Sequence, residues 1–120
     1  GVVIILSDFL DAADPLAALR QIAVHGHDLH CVQVLSPQEV DPAGHGMTGD
    51  LRLEDEEGGP SREVTVTPGL LEAYRARLEQ RVAGLRSAAG YCGGTSATVR
   101  TDTAVEDVLL QELRQGGLIR

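Results

Sequence analysis

The sequence predicts an α/β fold with three parallel strands, flanking helices and an inserted β-hairpin. Residues 2–6 form a continuous aliphatic run, which is typical of a parallel strand that is buried on both faces. A helix pattern and a second apolar run at 29–35 follow with short connections, and this order makes the two strands parallel. Two short alternating runs, 51–53 and 64–66, flank an acidic, Gly-rich turn and predict an antiparallel hairpin.

Each predicted helix carries its own start signal. Asp14, followed by proline, predicts the first helix, and Thr67, also followed by proline, predicts the longest one. A third strand is expected over residues 95–100, after a group of glycines. Ser36, Pro37 and Glu39 fit a capping box and predict a short helical turn. Thr103 and Glu106 have the same spacing and predict the start of the last helix.

Length and composition indicate one domain of a globular protein. The chain has 120 residues, of which 42% are hydrophobic and 23% charged, and these values exclude a disordered tail. No apolar run is long enough to cross a bilayer, and no signal segment is visible. Aromatic residues make up only 2%, and the net charge is −8 with arginine as the only basic residue besides histidine. We therefore expect no nucleic-acid binding through base stacking or phosphate contacts.

The sequence also indicates a piece of a longer, cytoplasmic polypeptide. The chain begins at Gly1, directly before the first apolar strand, as expected of a segment cut from a larger protein. Cys31 and Cys92 lie in unrelated sequence contexts without Cys-x-x-Cys spacing. Two such thiols do not resemble a disulfide framework, so we expect a reducing compartment.

Asp8 is the strongest candidate for a functional residue. It follows the first buried strand, and ligands of open α/β sheets bind beyond the carboxyl ends of the strands. Ser7 and Asp8 offer hard oxygen ligands for Mg²⁺, with Asp11 and Asp14 nearby, although a cation site needs more ligands than one loop supplies. The alternative is structural: Asp14 caps a helix, and Asp8 and Asp11 are solvated loop carboxylates.

The histidines and cysteines are weaker candidates. His25, His27 and His30 resemble metal ligands, but the predicted helix end and strand do not force the three rings to converge. Cys31 is expected to be a small core residue, and Cys92, among glycines, to be more exposed. Catalysis by either thiol would need a positioned base that the sequence does not reveal.

Two further polar groups have simple structural explanations. Residues 101–103 follow the third strand and face the same edge as Asp8 if the sheet is parallel, but capping of the last helix accounts for them. The acidic residues 55–57 are expected at a solvated hairpin tip, because calcium-loop spacing is missing. The sequence contains no phosphate loop, no nucleophile elbow and no zinc-protease motif.

Six segments together resemble the carboxyl-terminal half of the bacterial domain-of-unknown-function 58 family, which is similar to the von Willebrand factor A domain. The likeness covers nearly the whole chain and depends on the order and spacing of the segments. They are VVIILSDFLD, HGHDLH, VQVLSPQE, GDLRLEDEEGG, TPGLLEAYRARLEQ and RTDTAVEDVLL.

The resemblance implies a partial Rossmann-like sheet. Residues 1–120 would form the carboxyl-terminal part of one von Willebrand factor A-like domain, with residues 49–67 as a hairpin insertion. Asp8 matches a position that contributes to the family's divalent-cation site. The Asp-x-Ser-x-Ser loop that supplies the other ligands would precede Gly1, so a Mg²⁺ site in this chain is incomplete.

The resemblance further implies a chaperone-like or scaffolding role with a MoxR-class AAA ATPase. It is also compatible with a longer protein that has a membrane anchor upstream of Gly1. We therefore expect a non-enzymatic protein-interaction module that uses Ser7 and Asp8. The cut sheet would expose residues 2–6 and favour a homodimer through that edge. The alternatives are a metal-dependent hydrolase or phosphotransfer domain that uses Asp8, and a purely structural domain.

Overall fold

The computed structural model of the chain describes residues 1–11, 14–53, 58–59, 61–115 and 117. Five strands and three main helices lie in these ranges, followed by a C-terminal helical segment, residues 105–115. The strands are β1 Val2–Ser7, β2 Asp28–Leu35, β3 Gly49–Leu53, β4 Arg62–Val66 and β5 Thr95–Arg100. The helices are α1 Leu16–Val24, α2 Pro37–Val40 and α3 Pro68–Tyr91, and the C-terminal segment contains α4 Val105–Asp107, a π-helical turn Val108–Glu112 and α5 Leu113–Gln115.

The main sheet contains three parallel strands in the order β1-β2-β5. Its register places Ile4 beside His30 and His30 beside Thr95. Helix α1 connects β1 to β2, as expected for a strand–helix–strand unit. The α/β fold class, with a parallel sheet and flanking helices, is therefore confirmed.

The hairpin predicted between 51–53 and 64–66 is also present. Strands β3 and β4 pair antiparallel, with Leu51 beside Val64. The two strands form a separate two-stranded sheet rather than extending the parallel one. The acidic run at 55–57 lies outside the described residues.

The hydrophobic core lies between one face of the parallel sheet and helices α1 and α3. Leu19 of α1 and Leu85 of α3 meet the inward residues of β2. Val3 and Ile5 of β1 pack against this cluster because alternate strand residues point to the same face. Its fully buried members are Leu19, Leu29, Cys31, Leu85, Ala88 and Ala89.

The prediction that the first strand is buried on both faces is wrong. Val2, Ile4 and Leu6 are 62%, 52% and 70% exposed. They point away from α1 and α3, and β1 is an edge strand of the sheet. A continuous aliphatic run therefore predicted the strand correctly but not the covering of its second face.

Three of the four predicted helix starts are confirmed. The Ser36 hydroxyl accepts a hydrogen bond from the Glu39 N–H at 3.2 Å, and the Ser36 N–H donates to the Glu39 carboxylate. The Asp14 carboxylate accepts a hydrogen bond from the Leu16 N–H at 3.0 Å, and the Thr67 hydroxyl accepts one from the Leu70 N–H at 3.1 Å. The predicted capping box of Thr103 and Glu106 is wrong, because the residue before α4 is Ala104, which makes no side-chain cap.

The start of the last helix is displaced by a turn that follows β5. The N–H of Thr103 donates to the carbonyl of Arg100 at 3.1 Å. Thr103 is therefore used in closing this turn and lies one residue before the helix cap. Among the described residues, no helix is long and apolar enough to cross a membrane.

Candidate functional site

The carboxyl ends of the three parallel strands form one edge of the sheet. Asp8 follows β1, Ser36 follows β2, and Thr101 and Asp102 follow β5. Because β2 lies between the outer strands, β1 and β5 are about 10 Å apart. The edge thus places Asp8 and Asp102 on opposite sides of a central strand.

The side chains of Ser7 and Asp8 both fold back onto the loop that follows β1. The Ser7 hydroxyl oxygen accepts a hydrogen bond from the Phe9 N–H at 3.1 Å, and Asp8 Oδ1 accepts one from the Leu10 N–H at 3.0 Å. These are the local contacts by which serine and aspartate stabilise turns. Asp8 is an exposed loop carboxylate, and its second oxygen makes no hydrogen bond with the described residues.

Phe9 adopts a backbone conformation that non-glycine residues rarely use. Its φ is +53°, in the left-handed region that costs a side-chain-bearing residue about 1–3 kcal/mol. Such strain is maintained only where the surroundings fix the chain, and it is concentrated near functional sites. The loop at Asp8 is therefore held in shape by contacts outside itself.

Gln33 supplies the main contact of this kind. Its side chain is completely buried, and its Nε2 donates to the Asp8 carbonyl at 2.9 Å. Its Oε1 accepts a hydrogen bond from the Thr98 hydroxyl at 3.3 Å. One amide thus connects all three strands, and it fixes the backbone of Asp8.

Gln33 is not among the candidate residues that the sequence indicates. The available signal was a single amide inside the apolar run of β2. Buried amides are satisfied by hydrogen bonds, so such a residue indicates a polar connection inside the sheet.

Helix α3 holds two loops at this end of the molecule. The Arg81 guanidinium donates to the Asp11 carbonyl. The Tyr74 hydroxyl donates to the Glu39 carbonyl at 2.5 Å, and burial, together with the negative charge of Glu39, raises the pKa of Tyr74. Both contacts connect the long helix to the segments that follow β1 and β2.

Asp102, at the other side of the edge, is paired with Arg100. The guanidinium contacts both carboxylate oxygens, at 3.0 Å and 2.8 Å. This hydrogen bonding lowers the pKa of the Asp102 carboxyl. The prediction that helix capping accounts for Asp102 is therefore wrong, since the residue forms an ion pair instead.

The donor groups at this edge do not make a complete cation site. Within the described ranges, no group of three or more His, Cys, Asp or Glu side chains is placed to hold a metal ion. The Ser7 and Asp8 oxygens are hard donors that suit Mg²⁺, but one exposed carboxylate beside one hydroxyl holds this ion weakly, because Mg²⁺ gives up its hydration shell reluctantly. Asp8 can supply at most part of such a site.

His25 and His30 have different hydrogen-bond partners, whereas the two cysteines lie at the same core. His25 Nδ1 lies 2.6 Å from the Gln21 carbonyl, whereas His30 Nδ1 lies 2.7 Å from the Thr95 hydroxyl. Cys31 is a buried core residue, as predicted. Its burial, and to a smaller extent the nearby Cys92, raises the pKa of its thiol. Cys92 packs against the same core but is only partly buried, so it is more exposed than Cys31, as the sequence predicts.

Comparison with known proteins finds relatives of uncharacterised function. The chain is 34% identical over 103 residues to uncharacterised proteins of Mycobacterium tuberculosis and Mycobacterium bovis, which covers 85% of this chain and 31% of theirs. It is 30% identical over 102 residues to an uncharacterised protein of Mycobacterium avium, which covers 85% of this chain and 58% of that protein.

The chain therefore spans about a third of the length of the first two relatives. No family model matches the sequence. No solved structure matches it either. The similarity is thus to mycobacterial proteins that carry no assigned activity.

Proposed function

We propose that the chain is a non-enzymatic protein-interaction or scaffolding module. In this proposal it belongs to a larger von Willebrand factor A-like domain and works with a MoxR-class AAA ATPase in the full-length protein. The observation that carries the proposal is strand β1, whose residues Val2, Ile4 and Leu6 are more than half exposed and which leads directly into the exposed Asp8. An open aliphatic strand beside a carboxylate is suited to bind another protein.

The backbone of β1 supports the same function. The N–H of Asp28 donates to the Gly1 carbonyl at 2.8 Å, so the carbonyl of residue 1 faces β2. Backbone directions alternate along a strand, and the polar groups of Val2, Ile4 and Leu6 therefore face the open edge. Residues 2–6 contain no charge and no proline, the residues that commonly protect edge strands from pairing.

Asp8 has a defined role in this proposal. Its free oxygen supplies one ligand to a divalent-cation bridge, and the remaining ligands come from outside the described residues. The hydrogen bond from Gln33 and the packing of Phe9 against the core hold the loop in position, which reduces the entropy that binding would otherwise cost.

The cation bridge is tested with Asp8→Asn, compared with Asp28→Asn as the matched control. Asparagine keeps an oxygen that accepts from the Leu10 N–H, so the loop is retained while the charge is lost. Asp28 is exposed at the amino end of β2, the opposite end of the sheet. In the full-length protein, Mg²⁺-dependent binding of the ATPase, measured by calorimetry, should fall at least tenfold in Asp8→Asn only. Equal binding by both variants and the wild type would disprove the bridge.

The open β1 strand predicts that this 120-residue chain forms a homodimer. Antiparallel pairing centred on Ile4 would place Ile4 beside its own copy and Val2 beside Leu6, all on one face. Sedimentation velocity over a dilution series should show a dimer that Ile4→Lys disrupts. Val24→Lys, which changes an even more exposed aliphatic residue on α1, should leave the dimer intact. A wild-type monomer at all concentrations would exclude this pairing.

The second candidate function is a metal-dependent hydrolase or phosphotransfer domain. It is favoured by one feature, the exposed Asp8 carboxylate at the carboxyl edge of a parallel sheet. Incubation of the full-length protein with acetyl phosphate and Mg²⁺ tests it directly. A phosphoryl group found on Asp8 by mass spectrometry would replace the interaction proposal with this one.

A further inference from the structure

A groove runs beside β5, at the edge of the sheet opposite to β1. We call it the β5 groove. It has a volume of about 560 Å³ and is lined by residues 95–98, by Arg86 and Gly90 of α3, and by Gln115 of α5. This volume is within the range of ligand-binding clefts, about 300–1,000 Å³. The groove is distinct from the loop that contains Asp8.

The lining residues show that the floor of the β5 groove is a strand edge. Four consecutive residues of β5 border it, although successive strand side chains point to opposite faces. A single cavity can contact all four only from the side of the strand. β5 pairs with β2 on its other side, and no further strand among the described residues pairs with its outer edge.

The open backbone groups can be assigned to particular residues. The N–H of Thr101 donates to the Leu35 carbonyl of β2 at 2.9 Å. Because backbone directions alternate, the N–H and C=O groups of Ser96 and Thr98 point away from β2 and into the groove. These positions match the hydrogen-bonding pattern of one additional strand.

Arg86 gives the β5 groove a local positive charge. It lies at the junction with a second, mainly apolar cavity of about 310 Å³. Its guanidinium makes no hydrogen bond or ion pair with the described residues. Glu79, the other charged residue of the second cavity, is seven residues earlier on α3 and thus about 10 Å away along the helix. A carboxylate entering the groove would therefore meet Arg86 first.

The hydroxyl groups add directed hydrogen bonds, but they are not all free. The Thr95 hydroxyl already contacts His30, and the Thr98 hydroxyl donates to Gln33. The recognition surface is thus the backbone of β5 and Arg86, with the Ser96 hydroxyl available beside them. A backbone surface of this kind selects extended polypeptide rather than a compact anion.

We propose that the β5 groove binds an extended peptide segment of a partner protein, which pairs with the backbone of Ser96 and Thr98 and places an acidic side chain against Arg86. This site goes beyond the function proposed for Asp8, because it uses the other edge of the sheet and needs no cation. The bound peptide adds a strand to the sheet, and the contact of its acidic side chain with Arg86 fixes the register of that strand.

Gly90 allows the groove to be filled without disturbing the fold. A Cβ atom at Gly90 would meet no atom within 4 Å, and the residue lies in the last turn of α3, where leucine is a better helix former than glycine. Gly84 on the same helix also has open space around its Cβ position, but it borders a different cavity beside Phe9 and Pro15. Gly84→Leu is therefore the matched control for Gly90→Leu.

A display library of random nine-residue peptides, selected on the wild-type chain, tests the proposal. We expect enrichment of extended, β-branched sequences with one acidic residue at a fixed position. Binding of the most enriched peptide, measured by fluorescence anisotropy, should weaken at least tenfold in Gly90→Leu and stay unchanged in Gly84→Leu and Asp8→Asn.

The charge contact is tested separately with Arg86→Gln. For an exposed ion pair we expect about two- to fivefold weaker binding. Replacing the acidic residue of the peptide by glutamine should give the same loss, and combining both changes should add nothing further. Binding of the peptide should change the amide chemical shifts of residues 95–98.

Three results would overturn the proposal. The selection could yield no enriched sequence, or the enriched peptides could bind Gly90→Leu as tightly as the wild type. The shift changes could also fall on residues 2–7 instead of β5, which would assign peptide binding to the other edge of the sheet. Loss of Mg²⁺-dependent binding through Asp8 would leave these outcomes unaffected, so the two proposals fail independently.

Discussion

Replacing Gln33 by methionine tests whether one buried amide holds the three parallel strands together at their carboxyl ends. Methionine has a similar length and fills the same space, but it cannot donate to the Asp8 carbonyl or accept from the Thr98 hydroxyl. The substitution therefore removes two hydrogen bonds, of 2.9 Å and 3.3 Å, while the packing of a completely buried side chain is retained.

The expected loss of stability is about 1–2 kcal/mol. A hydrogen bond contributes about 0.5–1.5 kcal/mol net, and the 3.3 Å contact belongs at the lower end of that range. Burying methionine instead of an amide offsets part of this loss in the free energy of unfolding, because an amide is costly to remove from water. With a urea m-value of about 1.5 kcal/mol/M, the unfolding midpoint should fall by about 1 M.

Thr98→Val is the partner variant in this experiment. It removes only the longer hydrogen bond and should cost less than Gln33→Met. The double variant should lose less than the sum of the single losses, because both changes delete the same contact. A Gln33→Met protein as stable as the wild type, or strictly additive losses, would refute the role assigned to the amide.

Three other measurements test separate parts of the structure. Gly94→Ala should cost about 1–3 kcal/mol in urea unfolding, because the new Cβ would lie 2.5 Å from a backbone oxygen of β2; unchanged stability would contradict this close approach. The Asp102 carboxyl should titrate by NMR with a pKa below the ordinary aspartate value, since hydrogen bonding from Arg100 lowers it. The stabilisation should be present at neutral pH and disappear as the pH falls through that lowered pKa, and Arg100→Gln should raise the pKa towards the ordinary value. In the native protein, a thiol reagent should modify Cys92 before Cys31, because Cys31 is buried and burial raises the pKa of its thiol. Equal modification rates of the remaining cysteine in the Cys92→Ser and Cys31→Ser variants would argue against a closed core.

The strands and helix starts were predictable because their signals are local. The aliphatic run at 2–6, the Asp14 cap and the Thr67 cap each depend on neighbouring residues, and the structure confirms all three elements. The start of the last helix was not predictable from spacing alone. The turn at Thr103 depends on how β5 ends, which the capping pattern does not contain.

The position of the candidate site was predictable from the sequence, but the contacts that hold its loop in place were not. Parallel strands place their ends together, so Asp8 could be located at the sheet edge from the sequence. The bridge through Gln33 joins residues that are 25 and 65 positions apart, and nothing in the local pattern specifies such partners. The exposure of Val2, Ile4 and Leu6 agrees with what the family resemblance implied, but the hydrophobic pattern alone did not predict it, because it encodes neither strand order nor what covers the sheet.

The central position of β2 has a consequence for how the molecule opens. β2 is hydrogen-bonded to a neighbour on both sides, whereas β1 and β5 each have one. Amide hydrogens of β2 can therefore exchange with solvent only when a neighbouring strand detaches, and the outward amides of β1 can exchange from the native state. In the isolated chain, hydrogen exchange should therefore proceed from the outer strands inward, with β2 as the slowest-exchanging segment of the parallel sheet.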